Sequence, residues 1–264
     1  MQQIGKLYGV GVGAGAPDLM TLRAVRVINE AAVLAVPVSK PGGNSLAWRI
    51  AQPNLGDNPG QQILELVFPM TKDKAVLGPA RGRAFRQVAG LLAEGKDVAF
   101  IVQGDPMLYS SFIYLFEAFN ALNSAVEIEV VPGVSSLSAV PAVSGVPLAD
   151  GQERIAVIPA TYGVDDIAAT LERFDSIVLM KVNAVIDEVI EALNRLNLLD
   201  KAVFIERAAM ENQRIERDLM KIKGGSCAYF SMVVVNKKER SGVLAAVDLD
   251  PQVRRALGAG EGRS

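Results

Sequence analysis

Three glycine-rich turns constrain the fold of this chain more than any other feature, because each follows an apolar run. They occupy residues 9–18 (GVGVGAGAPD), 104–110 (GDPMLYS) and 132–136 (PGVSS). Each pattern predicts a strand that enters a turn and then a helix. In an open α/β sheet, ligands bind just beyond the carboxyl ends of the strands. The three turns therefore predict one small-molecule cleft that is built mostly from backbone.

Residue composition excludes several classes of site. The 264 residues include no histidine and a single cysteine, Cys227. A histidine metal site and a histidine-based triad are therefore excluded. One cysteine cannot form an internal disulfide, which fits a reducing cytoplasm. Half of the residues are hydrophobic and the formal net charge is −2, which is typical of a folded protein without a nucleic-acid partner.

No segment of the sequence predicts export or membrane insertion. Residues 1–6 lack the long apolar core of a signal peptide. No apolar run reaches the roughly 18 residues that a membrane span needs. We therefore expect a cytoplasmic protein without a membrane partner.

Strand-like and helix-like segments alternate along the chain, which predicts α/β layers with mostly parallel sheets. The predicted strands are residues 6–12, 32–38, 62–66, 97–102, 126–131, 154–159, 176–181, 201–205, 213–217 and 229–236. The predicted helices are residues 18–30, 45–52, 76–94, 112–122, 165–173 and 184–196. Asp18 is the expected N-cap of the first helix.

The length of the chain suits two α/β domains of ordinary size with a cleft between them. We predict an N-terminal domain at residues 1–123 and a C-terminal domain at 124–240. Residues 241–264 are polar and glycine-rich, and we expect a flexible tail there.

The first turn contains Gly9-x-Gly11-x-x-Ala14, a loose form of the dinucleotide fingerprint. An NAD(P)-dependent reductase would also need an acidic residue at the end of the second strand to hold the ribose hydroxyls. That strand is followed by Ser39 and Lys40. The missing acid counts against a reductase, and a tight turn that needs glycine for packing explains the motif equally well.

The other two turns each allow two interpretations. The carboxylate of Asp105 could accept hydrogen bonds from ribose hydroxyls, or it could cap the backbone of its own turn. Ser135 and Ser136 could contact a ligand or cap the following helix. Met180 ends an apolar strand, where core filling is the usual role of methionine.

A basic cluster follows the third predicted strand and is opposed only by Asp73. Such clusters are usually solvated faces, but they can also bind the carboxylates of a polyanionic substrate. Its members are Lys72, Lys74, Arg81, Arg83 and Arg86.

Taken together, the turns resemble the tetrapyrrole (corrin and porphyrin) methylase superfamily from Leu7 to about Val235. Five family signatures occur in order, at residues 11–24 (GVGAGAPDLMTLRA), 104–106 (GDP), 131–136 (VPGVSS), 179–181 (LMK) and 205–208 (IERA). The resemblance implies two α/β domains with mostly parallel or mixed sheets, a cofactor cleft between them and a homodimer. The implied cofactor is S-adenosyl-L-methionine (SAM), with S-adenosyl-L-homocysteine as its product.

Within the superfamily, the chain looks most like the enzymes that methylate C-20 of precorrin-2 in cobalamin synthesis. The segments that carry this likeness are residues 36–38 (VPV), 45–50 (SLAWRI), 68–73 (FPMTKD) and 104–110 (GDPMLYS). The alternatives are a C-20 methylase of the cobalt-bearing ring, cobalt-factor II, and another corrin or uroporphyrinogen methylase. The resemblance cannot separate these substrates.

The matched motifs also imply site residues. The expected cofactor contacts are Gly104, Asp105, Met107, Leu108, Tyr109, Ser135, Ser136, Met180, Ala208 and Ala209. Precorrin-2 carries carboxylate side chains, for which Arg49, Lys72 and Arg83 are the candidate partners. No catalytic base is identified, and Tyr109, Glu206 and bound water all stay candidates.

Overall fold

One sheet of five parallel strands forms the first half of the molecule. The computed structural model describes residues 3–122, 125–162, 164–238 and 251–256. The strands are β1 (Leu7–Gly11), β2 (Val33–Val38), β3 (Gln62–Val67), β4 (Val98–Val102) and β5 (Ile128–Val131). Their order across the sheet is β3-β2-β4-β1-β5, and every described pair is parallel. The carboxyl ends of β4, β1 and β5 are therefore neighbours.

Helices cover both faces of this sheet. They are α1 (Leu22–Glu30), α2 (Leu46–Ala51), α3 (Lys74–Ala93) and α4 (Phe112–Ala121). One face is packed around Ile28, Leu34 and Ile101, and the other around Phe100 and Phe112. Strands that are buried on both faces explain the nearly continuous apolar runs in the sequence.

The predicted cap of the first helix is wrong. Asp18 lies in a separate 3-10 turn, Pro17–Leu19, and the chain is extended again at Met20. Helix α1 starts after Thr21, whose hydroxyl oxygen accepts a hydrogen bond from the Ala24 N–H at 3.1 Å. The extended residue at position 20 separates the 3-10 turn from the helix, so the helix begins with a cap of its own at Thr21.

A second sheet of five strands is mixed. Its strands are β6 (Ile155–Pro159), β7 (Ser176–Met180), β8 (Ala202–Glu206), β9 (Arg214–Glu216) and β10 (Ser231–Asn236). Their order is β6-β7-β10-β8-β9. The pair β6–β7 is parallel, whereas β7–β10, β10–β8 and β8–β9 are antiparallel. The predicted α/β class with parallel or mixed sheets is confirmed.

Within the described residues, the helices that follow β5 are α5 (Ser136–Ser144), α6 (Val164–Arg173), α7 (Ile186–Arg195) and α8 (Pro251–Ala256). On one face of the second sheet, α6 and α7 pack around Phe204. On the other face, Val140 of α5 packs against Val178 and Val203. Helix α5 therefore leaves the first sheet and covers the second.

The sheets divide at a different place from the predicted boundary. β5 pairs with β1 in a parallel register that includes Tyr8 opposite Glu129, so the first sheet extends to Val131. A boundary at residue 123 separates this strand from its sheet, because the crossover through α4 returns the chain to the edge of β1. The division into independently folded domains stays a prediction.

Among the described residues, no helix is both long enough and apolar enough to cross a bilayer. Within the predicted tail, residues 251–256 form α8, and the rest of 241–264 lies outside the described residues.

An ion cluster joins α1 to the edge strand β5. Lys6 Nζ lies 2.8 Å from Glu129 Oε2, and the Arg23 guanidinium bonds the other oxygen of the same carboxylate. These hydrogen bonds, first from Lys6 and then from Arg23, hold the pKa of Glu129 below its ordinary value of 4.5. A lowered native pKa means that the stabilisation is fully present above about pH 4.5 and is lost as the pH falls through the native pKa.

We therefore expect Glu129→Gln to lower the free energy of unfolding by about 1 kcal/mol at pH 7. The difference from wild type should shrink as the pH falls below 4.5, because protonation removes the same charge. Urea unfolding at several pH values measures it. Glu94→Gln is the control, since Glu94 pairs with Lys96 on the exposed surface. If the difference in free energy of unfolding between Glu129→Gln and wild type stays constant with pH, the role assigned to Glu129 is wrong.

Candidate functional site

The three glycine-rich turns meet at the carboxyl ends of β1, β4 and β5. The Gly104 N–H donates to the Gly13 carbonyl at 2.8 Å, which ties the second turn to the first. A Cβ on Gly11 would lie 2.5 Å from the Gly104 carbonyl oxygen and 2.6 Å from the Gly133 nitrogen. A Cβ on Gly133 would collide with the same carbonyl. Only glycine allows this approach of three backbones.

Asp105 ties the second turn to the third. Its Oδ1 accepts a hydrogen bond from the Met107 N–H at 2.9 Å, and its Oδ2 accepts one from the Gly133 N–H at 3.1 Å. Capping of its own turn, one of the two sequence interpretations, is therefore present. Each carboxylate oxygen has a second lone pair, so the carboxylate can still accept a hydrogen bond from a ligand.

A cleft opens between these turns and the second sheet. Its cavity volume is about 150 Å³, and its mouth is open to solvent. The first half contributes Ala14, Gln103, Gly104, Asp105, Leu108, Tyr109, Ser135 and Ser136. The second sheet and its loops contribute Met180, Lys181, Ile205, Ala208, Met210, Tyr229, Phe230, Ser231 and Met232. The chain therefore forms the predicted cleft from both of its halves.

Most of the predicted cofactor contacts line this cleft, and two do not. The eight that do are Gly104, Asp105, Leu108, Tyr109, Ser135, Ser136, Met180 and Ala208. Met107 is 45% exposed beside the cleft. The Ala209 N–H donates to Gln213 Oε1 at 2.7 Å. Contact with a cofactor stays a prediction for all ten.

Several described cleft-lining residues that sequence analysis missed lie at or just before the start of β10. In the register, Met232 lies opposite both Met180 and Ile205. This antiparallel strand brings its first residues to the carboxyl ends of β7 and β8, where Tyr229 and Phe230 also reach the cleft. Gln103 adjoins the second turn and donates from Nε2 to the Ala14 carbonyl at 3.0 Å. Gln103 could have been found from the sequence, because it directly precedes Gly104 of the second turn.

Left-handed backbone is concentrated around the cleft. Four non-glycine residues in its loops have positive φ: Tyr109 (51°), Lys181 (58°), Arg207 (53°) and Ala209 (58°). This conformation costs roughly 1–2 kcal/mol for a residue with a Cβ, and such strain is commonly found at ligand sites. Lys181 Nζ lies 5.2 Å from the centre of the Tyr109 ring, so this cation–π contact joins the two halves across the cleft.

The two predicted proton acceptors have different surroundings. Tyr109 lines the cleft and is 50% exposed. Glu206 is buried, and its Oε1 accepts a hydrogen bond from the Ala228 N–H at 2.6 Å. Because side chains alternate along β8, Glu206 lies on the same face as Phe204, opposite to the cleft-lining Ile205. The structure therefore brings Tyr109, but not Glu206, to the cleft.

None of the three predicted substrate cations is among the described residues that line the cleft. Arg49 is exposed on α2 and Lys72 is exposed before α3. Arg83 lies in a separate hollow beside Glu65 and Arg86. A contact with substrate carboxylates stays a prediction for all three.

Comparison with known proteins gives a family match over residues 6–222, to the family described as Tetrapyrrole (Corrin/Porphyrin) Methylases. The chain is 34% identical to the cobalt-precorrin-2 C(20)-methyltransferase of Salmonella typhimurium, over 89% of this chain and 97% of that protein. It is 30% identical to the precorrin-2 C(20)-methyltransferase of a Sinorhizobium species, over 88% of this chain and 95% of that protein.

A longer relative is the cobalamin biosynthesis protein CobIJ of Mycobacterium tuberculosis. It is 35% identical over 98% of this chain. The chain spans only 54% of that protein's length.

Solved structures support the fold. A cobalt precorrin-4 methyltransferase superposes with a TM-score of 0.65 at 20% identity, covering 88% of this chain and 94% of that one. A uroporphyrin-III C-methyltransferase from Thermus thermophilus, complexed with S-adenosylhomocysteine, gives 0.61 at 22% identity, covering 88% of this chain and 98% of that one. The family match over residues 6–222 and the relatives of 30% identity or more confirm the resemblance stated from the sequence, and the chain belongs to the tetrapyrrole (corrin/porphyrin) methylase family.

Proposed function

We propose that this chain transfers a methyl group from SAM to C-20 of precorrin-2 in cobalamin biosynthesis, giving precorrin-3A and S-adenosyl-L-homocysteine. Similarity over nearly the whole chain to two enzymes named for C(20) methylation carries this proposal. The cleft at the meeting point of the glycine-rich turns supports it, because it provides one site with walls from both halves of the chain.

The described cleft residues fit SAM. One wall is apolar, formed by Met180, Ile205 and Met232, and suits the adenine and thioether portions. On the other side, a Cβ on Gly104 would meet only the Ser135 Cα, at 3.8 Å, so glycine leaves this part of the cleft open. The backbone and carboxylate of the second turn supply polar partners for the ribose and the methionyl group. When bound, SAM supplies a methyl group on a sulfonium whose leaving group is a neutral thioether.

The chain's own task in this reaction is to position the substrates and exclude water. The reduced ring is an electron-rich carbon nucleophile, so in-line alignment with the methyl donor is the main requirement. The rigid junction of the three turns fixes one side of that alignment. The proton that leaves C-20 can pass to bound water, either directly or through the hydroxyl of Tyr109 or Tyr229, which takes up this proton as it gives its own to water. Asp105 is less suited to this role, because both of its oxygens already accept backbone hydrogen bonds.

The metal content of the ring is a second question. Of the two relatives, the name of one specifies a cobalt-bearing ring and the name of the other does not. We propose the metal-free ring and keep cobalt-factor II as the alternative substrate. An NAD(P)-dependent reductase receives no support, since neither Ser39 nor Lys40 after β2 is acidic.

The test is an anaerobic incubation of the protein with methyl-labelled SAM and either precorrin-2 or cobalt-factor II. Mass spectrometry counts the added methyl groups, and carbon NMR locates them. One methyl at C-20 of the metal-free ring is expected. Transfer only to the cobalt ring would change the substrate, a methyl at another carbon would overturn the regiochemistry, and no binding of SAM would overturn the whole proposal.

The predicted substrate cations give a separate prediction. If Arg49, Lys72 or Arg83 holds a ring carboxylate, its alanine variant should raise KM for the tetrapyrrole about tenfold, which is typical for loss of a charge-assisted hydrogen bond. The Kd for SAM should not change. Steady-state kinetics and calorimetry measure the two constants. Wild-type behaviour of all three variants would show that the assignment is wrong.

We also propose that the chain acts as a homodimer in the cytoplasm. The dimer follows from the family resemblance, and the single cysteine fits a reducing compartment. Analytical ultracentrifugation tests the dimer, since a monomer at micromolar concentration would contradict it.

A further inference from the structure

We propose that Lys181 is a carboxylate anchor within the cleft and holds one acidic side chain of the tetrapyrrole. This assignment rests on the proposed function, because it needs a substrate with carboxylate side chains. Lys181 is distinct from the three cations that were predicted from the sequence, none of which is among the described residues that line the cleft.

The charged residues in the cleft support this assignment. Among the described residues that line the cleft, Lys181 alone is cationic and Asp105 alone is acidic. The oxygens of Asp105 accept backbone hydrogen bonds. Lys181 has no carboxylate within ion-pairing distance in the described part of the chain, and its Nζ lies 5.2 Å from the centre of the Tyr109 ring. A ligand carboxylate would supply the missing ion-pair partner.

The backbone conformation of Lys181 also supports the assignment. Lys181 directly follows β7 in the left-handed conformation, with φ 58° and ψ 39°. Glycine or asparagine adopts this conformation with less strain than lysine. A turn that needed only this backbone would therefore be served better by either residue. The strain at Lys181 is accounted for if the ammonium group itself is required in the cleft.

The position of the contact favours the tetrapyrrole over the cofactor as the source of the carboxylate. Tyr109, the partner of Lys181, is half exposed, so the pair lies where the cleft opens to solvent. A large substrate with several acidic side chains must approach from that side. The smaller cofactor is expected deeper, against the apolar wall and the second turn.

The experiment compares Lys181→Met, which removes the charge and keeps an unbranched side chain one atom shorter, with Lys181→Arg, which keeps the charge. Lys223→Met is the control, because Lys223 pairs with Glu191 on the surface. Calorimetry gives the Kd for S-adenosyl-L-homocysteine, kinetics at several salt concentrations give KM for the tetrapyrrole, and thermal unfolding gives Tm. Lys181→Asn tests the backbone argument.

For Lys181→Met, we expect KM for the tetrapyrrole to rise about tenfold, with the Kd for S-adenosyl-L-homocysteine within twofold of wild type. The salt dependence of KM should flatten, because the screened charge is gone. Lys181→Arg should stay within threefold of wild-type KM. Lys181→Asn should raise KM as Met does without lowering Tm, whereas a purely structural lysine would lower Tm.

Other results have distinct meanings. A weaker Kd with an unchanged KM would keep the anchor but assign it to the methionyl carboxylate of the cofactor, overturning the tetrapyrrole assignment. Wild-type values of both constants in Lys181→Met would overturn the anchor itself. Failure of the wild-type protein to bind S-adenosyl-L-homocysteine or to methylate the ring would overturn the proposed function, and the anchor with it.

Discussion

Gly11→Ala is expected to lower the free energy of unfolding by about 3 kcal/mol, at the upper end of the range for overpacked sites. The new Cβ would lie 2.5 Å from the carbonyl oxygen of Gly104 and 2.6 Å from the nitrogen of Gly133. Both atoms belong to backbone, so no flexible side chain can move aside. The clash can be relieved only if the turns after β1, β4 and β5 separate.

Separation of the turns should also remove the cofactor site. Calorimetry on Gly11→Ala should detect no binding of S-adenosyl-L-homocysteine at concentrations that saturate wild type, even below the melting temperature. A binding site must be held within about 0.5 Å of its productive geometry. The variant should therefore lose binding before it loses its secondary structure, which circular dichroism monitors.

Gly90→Ala is the matched control. Gly90 lies inside α3, and a Cβ there would meet no atom within 4 Å. Alanine favours the helix over glycine, so this variant should be more stable by about 0.5–1 kcal/mol and bind the cofactor normally. If Gly11→Ala unfolded at the wild-type urea concentration, the close approach of the three turns would be wrong.

Sequence reasoning predicted the strands of the first sheet well, because parallel strands are buried on both faces and appear as continuous apolar runs. In the second half the same signal predicted the strands but not their directions. The run MVVV of β10 is apolar throughout, yet β10 is antiparallel to both β7 and β8. Periodicity reports burial on both faces and cannot report strand direction.

The candidate site likewise contains residues that could be predicted from the sequence and residues that could not. Residues within a glycine-rich turn, such as Asp105 and Ser135, could be predicted because the turn and its function share one short segment. Tyr229 and Met232 could not, because they reach the cleft only through the pairing of β10. Lys181 could not be singled out from the sequence for a related reason. A basic cluster is visible in the sequence, whereas one lysine at the end of an apolar strand is noticed only when the strand's neighbours are known.

Asp105→Ala is expected to weaken binding of S-adenosyl-L-homocysteine about 10- to 100-fold. Its carboxylate accepts hydrogen bonds from the Met107 N–H and the Gly133 N–H. Hydrogen bonds to a charged group contribute about 1.5–3 kcal/mol each, and 1.4 kcal/mol corresponds to a tenfold change in affinity. Alanine would release the second turn from the third and remove a polar partner of the ligand.

Asp73→Ala separates this effect from the loss of a turn cap. Asp73 Oδ1 accepts a hydrogen bond from the Ala75 N–H at 2.9 Å, the same two-residue arrangement as Asp105 with Met107. It caps α3 and is not among the described residues that line the cleft. Asp73→Ala should lose about 1 kcal/mol of stability and keep wild-type affinity.

Equal affinity of Asp105→Ala and wild type would remove Asp105 from the cofactor site. A large loss of affinity with little loss of stability would mean that the carboxylate acts on the ligand, whereas parallel losses would mean that it acts by holding the two turns together.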